Sequence, residues 1–447
     1  MNQSVKNYIK KFLPAQVVRL LKYVINGIRN LPNSVKEHYL IKTQPRLHQK
    51  ALKRVKEKFR KGEPLNVVFF ALDSSIWKFD CLYKLLEEDN RFNPIILVCP
   101  IVNYGHEYMI NKMDECYDYF QKKDYNMIKS YDSQENKYID AKSLNPDIIF
   151  YTNPYKGLID DRYYITNFRE YLTGYVNYFF NSTKYSWSNS LLLHKLVWKY
   201  FLENEKLKNL ALHHQGYNNP SILVTGYPIF DQITTGKEDC DLWKIKDPSV
   251  KRIIFSPHHT IEDDTDINQM VKFSNFFKYY DFIQKLAIKY KDKIQIVFKP
   301  HPLLKPKLYQ HKDWGKKRTD EYYDFWVDNS NTNLCEGEYI DLFSSSDAII
   351  HDCNSFTAEY LVTGKPALYL SDFNHESQLN DFGKEMLSVY YIGKNKEEIE
   401  SFILDVINHI DPMESKRIKF VEENLILNKQ ETVAQRMLES VIKDLKS

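Results

Sequence analysis

Apolar residues fall along this chain in short runs separated by longer stretches of helical spacing. From Leu65, the run Asn66-Val67-Val68-Phe69-Phe70-Ala71 has the length of a buried strand, Cys81 to Asp89 reads as a helix, and Pro94 to Cys99 is again a strand. A helix around Glu107 to Lys123, a weak strand from Asn126 to Ser130 and a strong one from Asp147 to Tyr151 continue the alternation. Strands separated by helices of ten or more residues predict a parallel sheet covered on both faces, with polar loops gathered at its carboxyl edge. Residues 156 to 222 are mixed and rich in aromatics, with a helix expected from Leu191 to Asn209, and Ile222 to Pro228 reads as the last strand of this half. Lys237 to Lys251 is polar and aperiodic, as a linker would be.

The pattern then restarts. Arg252 to Ser256 and Ile294 to Phe298 read as strands on either side of a helix from about Asn268 to Tyr290, and a variable, charged region follows from Leu303 to Asn333. The densest signal lies between Asp341 and Leu370. The strand Ala348-Ile349-Ile350 turns through Asn354-Ser355-Phe356-Thr357 into a helix, Gly364-Lys365-Pro366 stops it, and Ala367 to Leu370 is the next strand. Residues 396 to 445 read as helical. The expected fold is α/β: two doubly wound Rossmann-type domains facing a cleft, preceded by a basic helical arm. The expected boundaries are 1–61 for the arm, 62–236 for the first domain, 237–251 for the linker and 252–447 for the second domain with its C-terminal helices.

Charge changes the picture at the N-terminus. Residues 1 to 61 hold sixteen Lys or Arg against two Glu, a balance of +14, so with a net charge of +3 the remainder sums to −11. Val5, Ile9, Phe12, Leu13, Val17, Leu20, Leu21 and Val24 recur at helical spacing among Lys6, Lys10, Lys11, Arg19 and Lys22, the pattern of a basic amphipathic helix suited to an anionic membrane surface. Packing on the protein's own body is the alternative. Nucleic acid is not expected as a partner, because no nucleic-acid-binding signature accompanies the basic stretch. Pro32, Pro45 and Pro64 are expected to break the arm into pieces. Six scattered cysteines without close spacing argue against a zinc site or a disulfide framework, and no apolar run is long enough to span a bilayer or act as a signal peptide.

Three consecutive strands of the second half leave through Pro257-His258-His259-Thr260, Lys299-Pro300-His301-Pro302 and Asp352-Cys353-Asn354-Ser355-Phe356-Thr357. If they are parallel neighbours, His258, His259, Lys299, His301, Asp352, Asn354, Ser355 and Thr357 converge at one sheet edge. Cations, hydroxyls and a helix N-terminus together suit a diphosphate and the charge released when one of its bonds breaks. Asn354, Ser355 and Thr357 also fit the plainer role of N-cap residues. Glu359, one turn into the helix, is placed to reach a ribose hydroxyl. The acidic run Glu262 to Asp266 reads as solvated acid ahead of a helix, and no metal is expected. No P-loop, dinucleotide fingerprint or nucleophile elbow is present.

Lys299-Pro300-His301-Pro302, Tyr339-Ile340-Asp341-Leu342-Phe343 through Asp352-Cys353-Asn354-Ser355, and Gly364-Lys365-Pro366 together resemble the CDP-glycerol glycerophosphotransferase family of teichoic acid and capsule polymerases. Trp77-Lys78-Phe79-Asp80, Pro146 to Tyr151 and Val224 to Pro228 extend the resemblance into the first half. The family's usual Asp-Tyr-Ser-Ser turn is Asp352-Cys353-Asn354-Ser355 here, and the Trp-His-Gly-Thr motif of many members is missing. The resemblance implies a GT-B-like fold and a transferase that moves glycerol phosphate or ribitol phosphate from CDP-glycerol or CDP-ribitol to a polysaccharide or lipid-linked hydroxyl; no cofactor is expected. It also implies a first domain for the acceptor, a second for the donor, and a cytoplasmic enzyme peripheral on the inner face of the membrane. On that reading His301, Lys299 and the turn at Asn354 to Thr357 hold the donor phosphates, His258 or His259 is the base, and Asp80 is the next candidate. A GT-B glycosyltransferase using a sugar nucleotide and a non-catalytic assembly protein at the membrane are the rival readings.

Overall fold

The computed structural model describes residues 33–447 except 186, 262–271 and 372–374. The first helix of the basic arm, the acidic run from Glu262 to Asp266 and the start expected for a helix at Asn268 therefore lie outside the described residues.

Asn33–Arg60 (α1) is one helix with Pro45 inside it, so the break expected at Pro45 does not occur. Proline removes a backbone donor and crowds the preceding turn, and here that turn is held from outside: Arg169 Nη2 donates to Leu40 O at 2.8 Å and Arg169 Nε to Gln44 Oε1 at 2.8 Å. Ala51 and Val55 are buried in the core of the first half. This part of the arm is therefore packed on the body and is not a separate unit.

The first sheet contains Leu65–Ala71 (β1), Phe92–Val98 (β2), Met127–Lys129 (β3), Ile148–Tyr151 (β4), Leu172–Val176 (β5), Lys199–Leu202 (β6) and Ile222–Val224 (β7), in the order β3-β2-β1-β4-β5-β6-β7. Every neighbouring pair is parallel. After β1 the chain passes through Trp77 and Lys78 into the helix Asp80–Glu88 (α2). The helix expected over 191–209 is replaced by a short helical turn, β6 and a second helix, Glu205–Gln215. The apolar run up to Leu202 fits either period, and pairing with β5 and β7 decides it in favour of a strand. β5 carries Gly174, which weakens a strand signal in sequence. In the fold a Cβ there would lie 2.4 Å from the Phe150 ring, so the glycine is what lets β4 and β5 pair with that ring between them.

The second sheet contains Lys251–Ser256 (β8), Ile294–Phe298 (β9), Thr332–Leu334 (β10), Ala348–His351 (β11), Ala367–Leu370 (β12) and Tyr391–Gly393 (β13), ordered β10-β9-β8-β11-β12-β13 and again parallel throughout. Asn354–Leu361 (α3) connects β11 to β12. The region 303–333 read as variable is two helices, Leu304–Gln310 and Gly315–Asp328, and the strand β10. Thr319, Tyr322, Tyr323 and Trp326 form the buried stripe of the longer helix, a helical spacing that its flanking charges obscure.

The last helix, Val433–Lys446 (α4), leaves the second half to which the sequence assigns it. Val433, Ala434, Met437, Val441 and Leu445 are buried in the core of the first half, beside α1 and α2. Asp231 anchors its start, accepting from Val433 N at 2.8 Å and Ala434 N at 2.9 Å. The halves share an apolar core in which Phe180, Tyr227 and Phe230 of the first meet Phe343, Tyr360 and Phe382 of the second.

His194 is fully buried in the first half, stacked on Tyr200 with its Nδ1 accepting from Leu191 N at 3.1 Å, and burial, aided by Lys195, holds its pKa at about 3. The unfolded chain binds a proton there near pH 6.5 that the folded chain refuses until about pH 3, so stability falls as pH drops below 6.5, by about 1.4 kcal/mol per unit for one such group. Asp352 and Glu203, both raised to about 7 by burial, act in the opposite direction. The comparison with His194→Asn isolates the histidine: urea unfolding at pH 7, 6 and 5 should show a shallower acid loss in the variant by about one proton.

Candidate functional site

β8 lies between β9 and β11, and the chain leaves β9 and β11 toward opposite sides, so the carboxyl edge of β8 is the switch point where such sheets open a crevice. The registers Phe255↔Phe298 and Ser256↔His351 bring the three exits level. The imidazoles of His258, His259 and His301 meet there, with ring centroids 4.3 Å (His258 to His259), 4.2 Å (His259 to His301) and 5.2 Å (His258 to His301) apart.

Their hydrogen bonds assign tautomers. His301 Nδ1 accepts from Leu303 N at 3.1 Å, so the neutral ring carries its proton on Nε2. Thr260 Oγ1 accepts from Phe273 N at 2.9 Å and Ser274 N at 3.1 Å, which leaves its own proton for His258 Nδ1 at 3.0 Å. His258 is thus also an Nε2–H donor. Burial, then the nearby His259, Lys299 and Lys307, hold the His301 pKa well below its ordinary value. Among the described residues these three histidines are the one group close enough to hold a metal ion. With two Nδ1 atoms already accepting, the arrangement offers N–H donors, which fit an anion better than a cation.

Lys299 is 4% exposed, and its ammonium has no hydrogen-bond or ion-pair partner among the described residues. Its charge lowers the pKa of the Cys335 and Cys353 thiols against the larger upward push of burial. α3 begins at Asn354, and its N-cap, Cys353, makes no side-chain cap. The N-cap reading of Asn354, Ser355 and Thr357 is therefore not realised. Asn354 Oδ1 instead accepts from Ser182 Oγ at 2.5 Å, Thr357 Oγ1 donates back to Cys353 O at 3.4 Å, and the half-buried Ser355 hydroxyl has no hydrogen bond among the described residues. First-turn N–H groups without a side-chain cap, at the positive end of a helix dipole, favour an anion.

Three expected site residues are turned away from the crevice. Asp352 is fully buried, with its carboxylate accepting from His258 N at 2.6 Å and from Asn275 N, so it holds the histidine loop and not a ligand. Glu359 is 1% exposed: Oε1 accepts from Lys78 Nζ at 3.3 Å and Tyr227 Oη at 3.1 Å, and Oε2 accepts from Tyr339 Oη at 2.5 Å. No ribose reaches it in this arrangement. Asp80 accepts from Trp77 Nε1, Tyr125 Oη and Lys123 Nζ, each at 2.8 Å, and is a support of the first half with three of its acceptor sites engaged. Lys78, Tyr227, Tyr339 and Ser182 are additions that the sequence did not single out. Three of them lie inside motifs that carry the family resemblance, but nothing local says that their side chains converge.

The fold is that of a GT-B-type enzyme. A UDP-N-acetylglucosamine 2-epimerase from Neisseria meningitidis has the same fold at TM-score 0.52 and 15% identity, over 85% of this chain and 100% of that one. A protein of Listeria monocytogenes assigned as a UDP-N-acetylglucosamine 2-epimerase matches at 0.56 and 16%, over 86% and 97%. The wall teichoic acid polymerase TagF matches at 0.52 and 13%, over 90% and 98%. At these identities the likeness shows the fold alone. A comparison with curated protein sequences finds no match. The sequence pattern of the family described as CDP-Glycerol:Poly(glycerophosphate) glycerophosphotransferase matches residues 178–443, more than half of the chain. The chain belongs to that family and is a transferase of the CDP-glycerol glycerophosphotransferase type.

The inward carboxylate has a measurable consequence. Asp352→Ala should destabilise the fold by about 2 to 6 kcal/mol, because the backbone N–H groups of His258 and Asn275 lose their acceptor in a buried setting. Urea denaturation at pH 8 checks it.

Proposed function

We propose that this chain moves glycerol phosphate or ribitol phosphate from a CDP-activated alcohol to a hydroxyl of a polysaccharide or lipid-linked acceptor, as in the synthesis of a teichoic-acid or capsule polymer. The observation that carries the reading is the uncapped start of α3 at the same sheet edge as the unpartnered Lys299 ammonium and the Nε2–H donors of His258 and His301. Amide N–H, ammonium and imidazole donors match the oxygens of a diphosphate and the charge that CMP carries away.

In this mechanism the acceptor oxygen forms a bond to the phosphorus of the alcohol phosphate while the bond from that phosphorus to the bridging oxygen breaks, and CMP leaves with the electron pair. The acceptor's proton needs a base with a lone pair to offer. The Nδ1 lone pair of His258 is taken by Thr260, so the role falls to His259, while Lys299, His301 and Ser355 hold the phosphates.

The assignments separate by experiment. His301→Ala should weaken CDP-alcohol binding by about 10-fold to 150-fold, whereas His259→Ala should leave binding near normal and depress transfer by about 100-fold or more. Calorimetry with CDP-glycerol and CDP-ribitol, alongside analysis of the product for phosphodiester bonds, tests the reading. Glycosidic bonds in the product would instead favour the sugar-nucleotide alternative.

The membrane partner belongs to the same proposal. No helix among the described residues is long and apolar enough to cross a membrane. α1 buries only Gln44, Ala51 and Val55 and carries nine Lys or Arg against two Glu, which supports a basic surface toward anionic lipid at the inner face of the membrane. Each basic residue near such a surface contributes about 1 kcal/mol and is screened by salt. Deleting residues 1–30 removes six Lys or Arg while α1 keeps its nine, so it should weaken the salt-sensitive co-sedimentation with anionic vesicles and leave the unfolding midpoint unchanged.

A further inference from the structure

Helix α3 is gripped from across the cleft at two points. At its first residue, Asn354 Oδ1 accepts from Ser182 Oγ, on the loop that follows β5 in the first half. That loop is itself tied to the second half, since Asn380 N donates to Ser182 O at 2.9 Å and Asn380 Nδ2 to Thr183 O at 3.1 Å. Further along the same helix, Lys78 from the segment between β1 and α2 reaches Glu359 at 3.3 Å and Tyr339 Oη at 3.2 Å. Lys78 is 5% exposed, and its ammonium also lies 5.7 Å from the Tyr227 ring centroid and 5.9 Å from that of Tyr339.

An ammonium and a carboxylate held out of water are costly unless each has the other and further hydrogen bonds besides. Here each needs a partner from the opposite half. If α3 slides or rotates, Glu359 is left buried without Lys78, and if the first half withdraws, Lys78 loses its acceptor. The pair therefore fixes one register between the first half and the helix whose start faces the crevice. Tyr227 and Tyr339 fill two more acceptor sites of Glu359, which narrows that register further.

We propose that Lys78 is a positioning residue for the donor site: acting through Glu359, and together with Ser182, it holds α3 so that the phosphate-binding turn is formed only when the first half is docked. The inference rests on the reading of that turn given above. Docking of the halves and donor binding are then one coupled equilibrium, and the coupling is reciprocal. The first half contributes to donor affinity without touching the donor.

The test uses the full chain and the variants Lys78→Met, Lys78→Arg, Ser182→Ala and Ser355→Ala, with CDP-glycerol and CMP as probes. Lys78→Met should speed amide exchange across residues 354–361 in the ligand-free protein. It should also weaken CDP-glycerol by about 10-fold to 100-fold, within the usual range of coupling between sites, and Lys78→Arg should recover most of that loss. In the Ser355→Ala background the added loss from Lys78→Met should shrink at least about threefold, because the two changes act through the same turn. A structural ion pair would lower the melting temperature and leave that interaction energy at zero. CDP-glycerol affinity within twofold of wild type in folded Lys78→Met, with unchanged exchange in α3, would overturn the proposal. If Lys78→Met does not fold, Ser182→Ala decides, since it loosens the other grip and leaves the ion pair intact: faster exchange in α3 with weaker CDP-glycerol binding supports the proposal, and wild-type values for both overturn it. If the wild-type chain binds neither CDP-glycerol nor CMP, the donor reading has failed, and the exchange measurement still decides whether Lys78 holds the helix.

Discussion

Parallel pairing is the constraint on which the rest of this structure depends. Each strand of the two main sheets must be followed by a crossover before the next can pair, so every strand delivers its following loop to the same edge. In the second half, β8 has β9 on one side and β11 on the other, and the crossovers from those neighbours lie on opposite faces. The loops after β8, β9 and β11 therefore come to one edge, where His258, His259, His301, Lys299 and the start of α3 stand together. None of these groups needs an unusual backbone of its own. Their convergence follows from register.

Within that frame the electrostatics of the edge are set by which charges the fold withdraws. Asp352 and Glu359 are sequence neighbours of the phosphate turn, and on the surface either would repel a diphosphate. The fold turns both inward and satisfies them, one with backbone N–H groups and the other with Lys78 and two tyrosines. The groups left at the edge are an ammonium, imidazole N–H donors and helix amides, a set that suits anions. Burial keeps His301 neutral, so it meets an anion as an Nε2–H donor.

The two ends of the described chain meet in the first half. α1 and α4 both pack there, and α4 arrives after the whole second half has been completed. With the shared apolar core between Phe180, Tyr227 and Phe230 on one side and Phe343, Tyr360 and Phe382 on the other, this return ties the halves at more than one place. Lys78 reaching Glu359 is the polar counterpart of that tie.

Local pattern alone determined the alternation of strands and helices, the restart near residue 251 and the strand-turn-helix unit from Ala348 to Leu361, because short apolar runs, Gly-Pro stops and helical spacing are properties of neighbouring residues. It also marked His258, His259, His301 and Lys299, since each follows a strand. Only the tertiary structure decided that β5 and β6 are strands, because Gly174 and the apolar run before Leu202 acquire their meaning from Phe150 and the flanking strands. Only it sent α4 back to the first half, where the partners of Met437 and Leu445 are hundreds of residues away in sequence. The same holds for Asp352, Glu359 and Asp80, whose residue types suggested contact with a ligand. Whether a carboxylate faces a ligand or the protein interior depends on which donors the rest of the chain brings to it, and those donors are distant in sequence: the backbone N–H of Asn275, the ammonium of Lys78, the indole and phenol around Asp80.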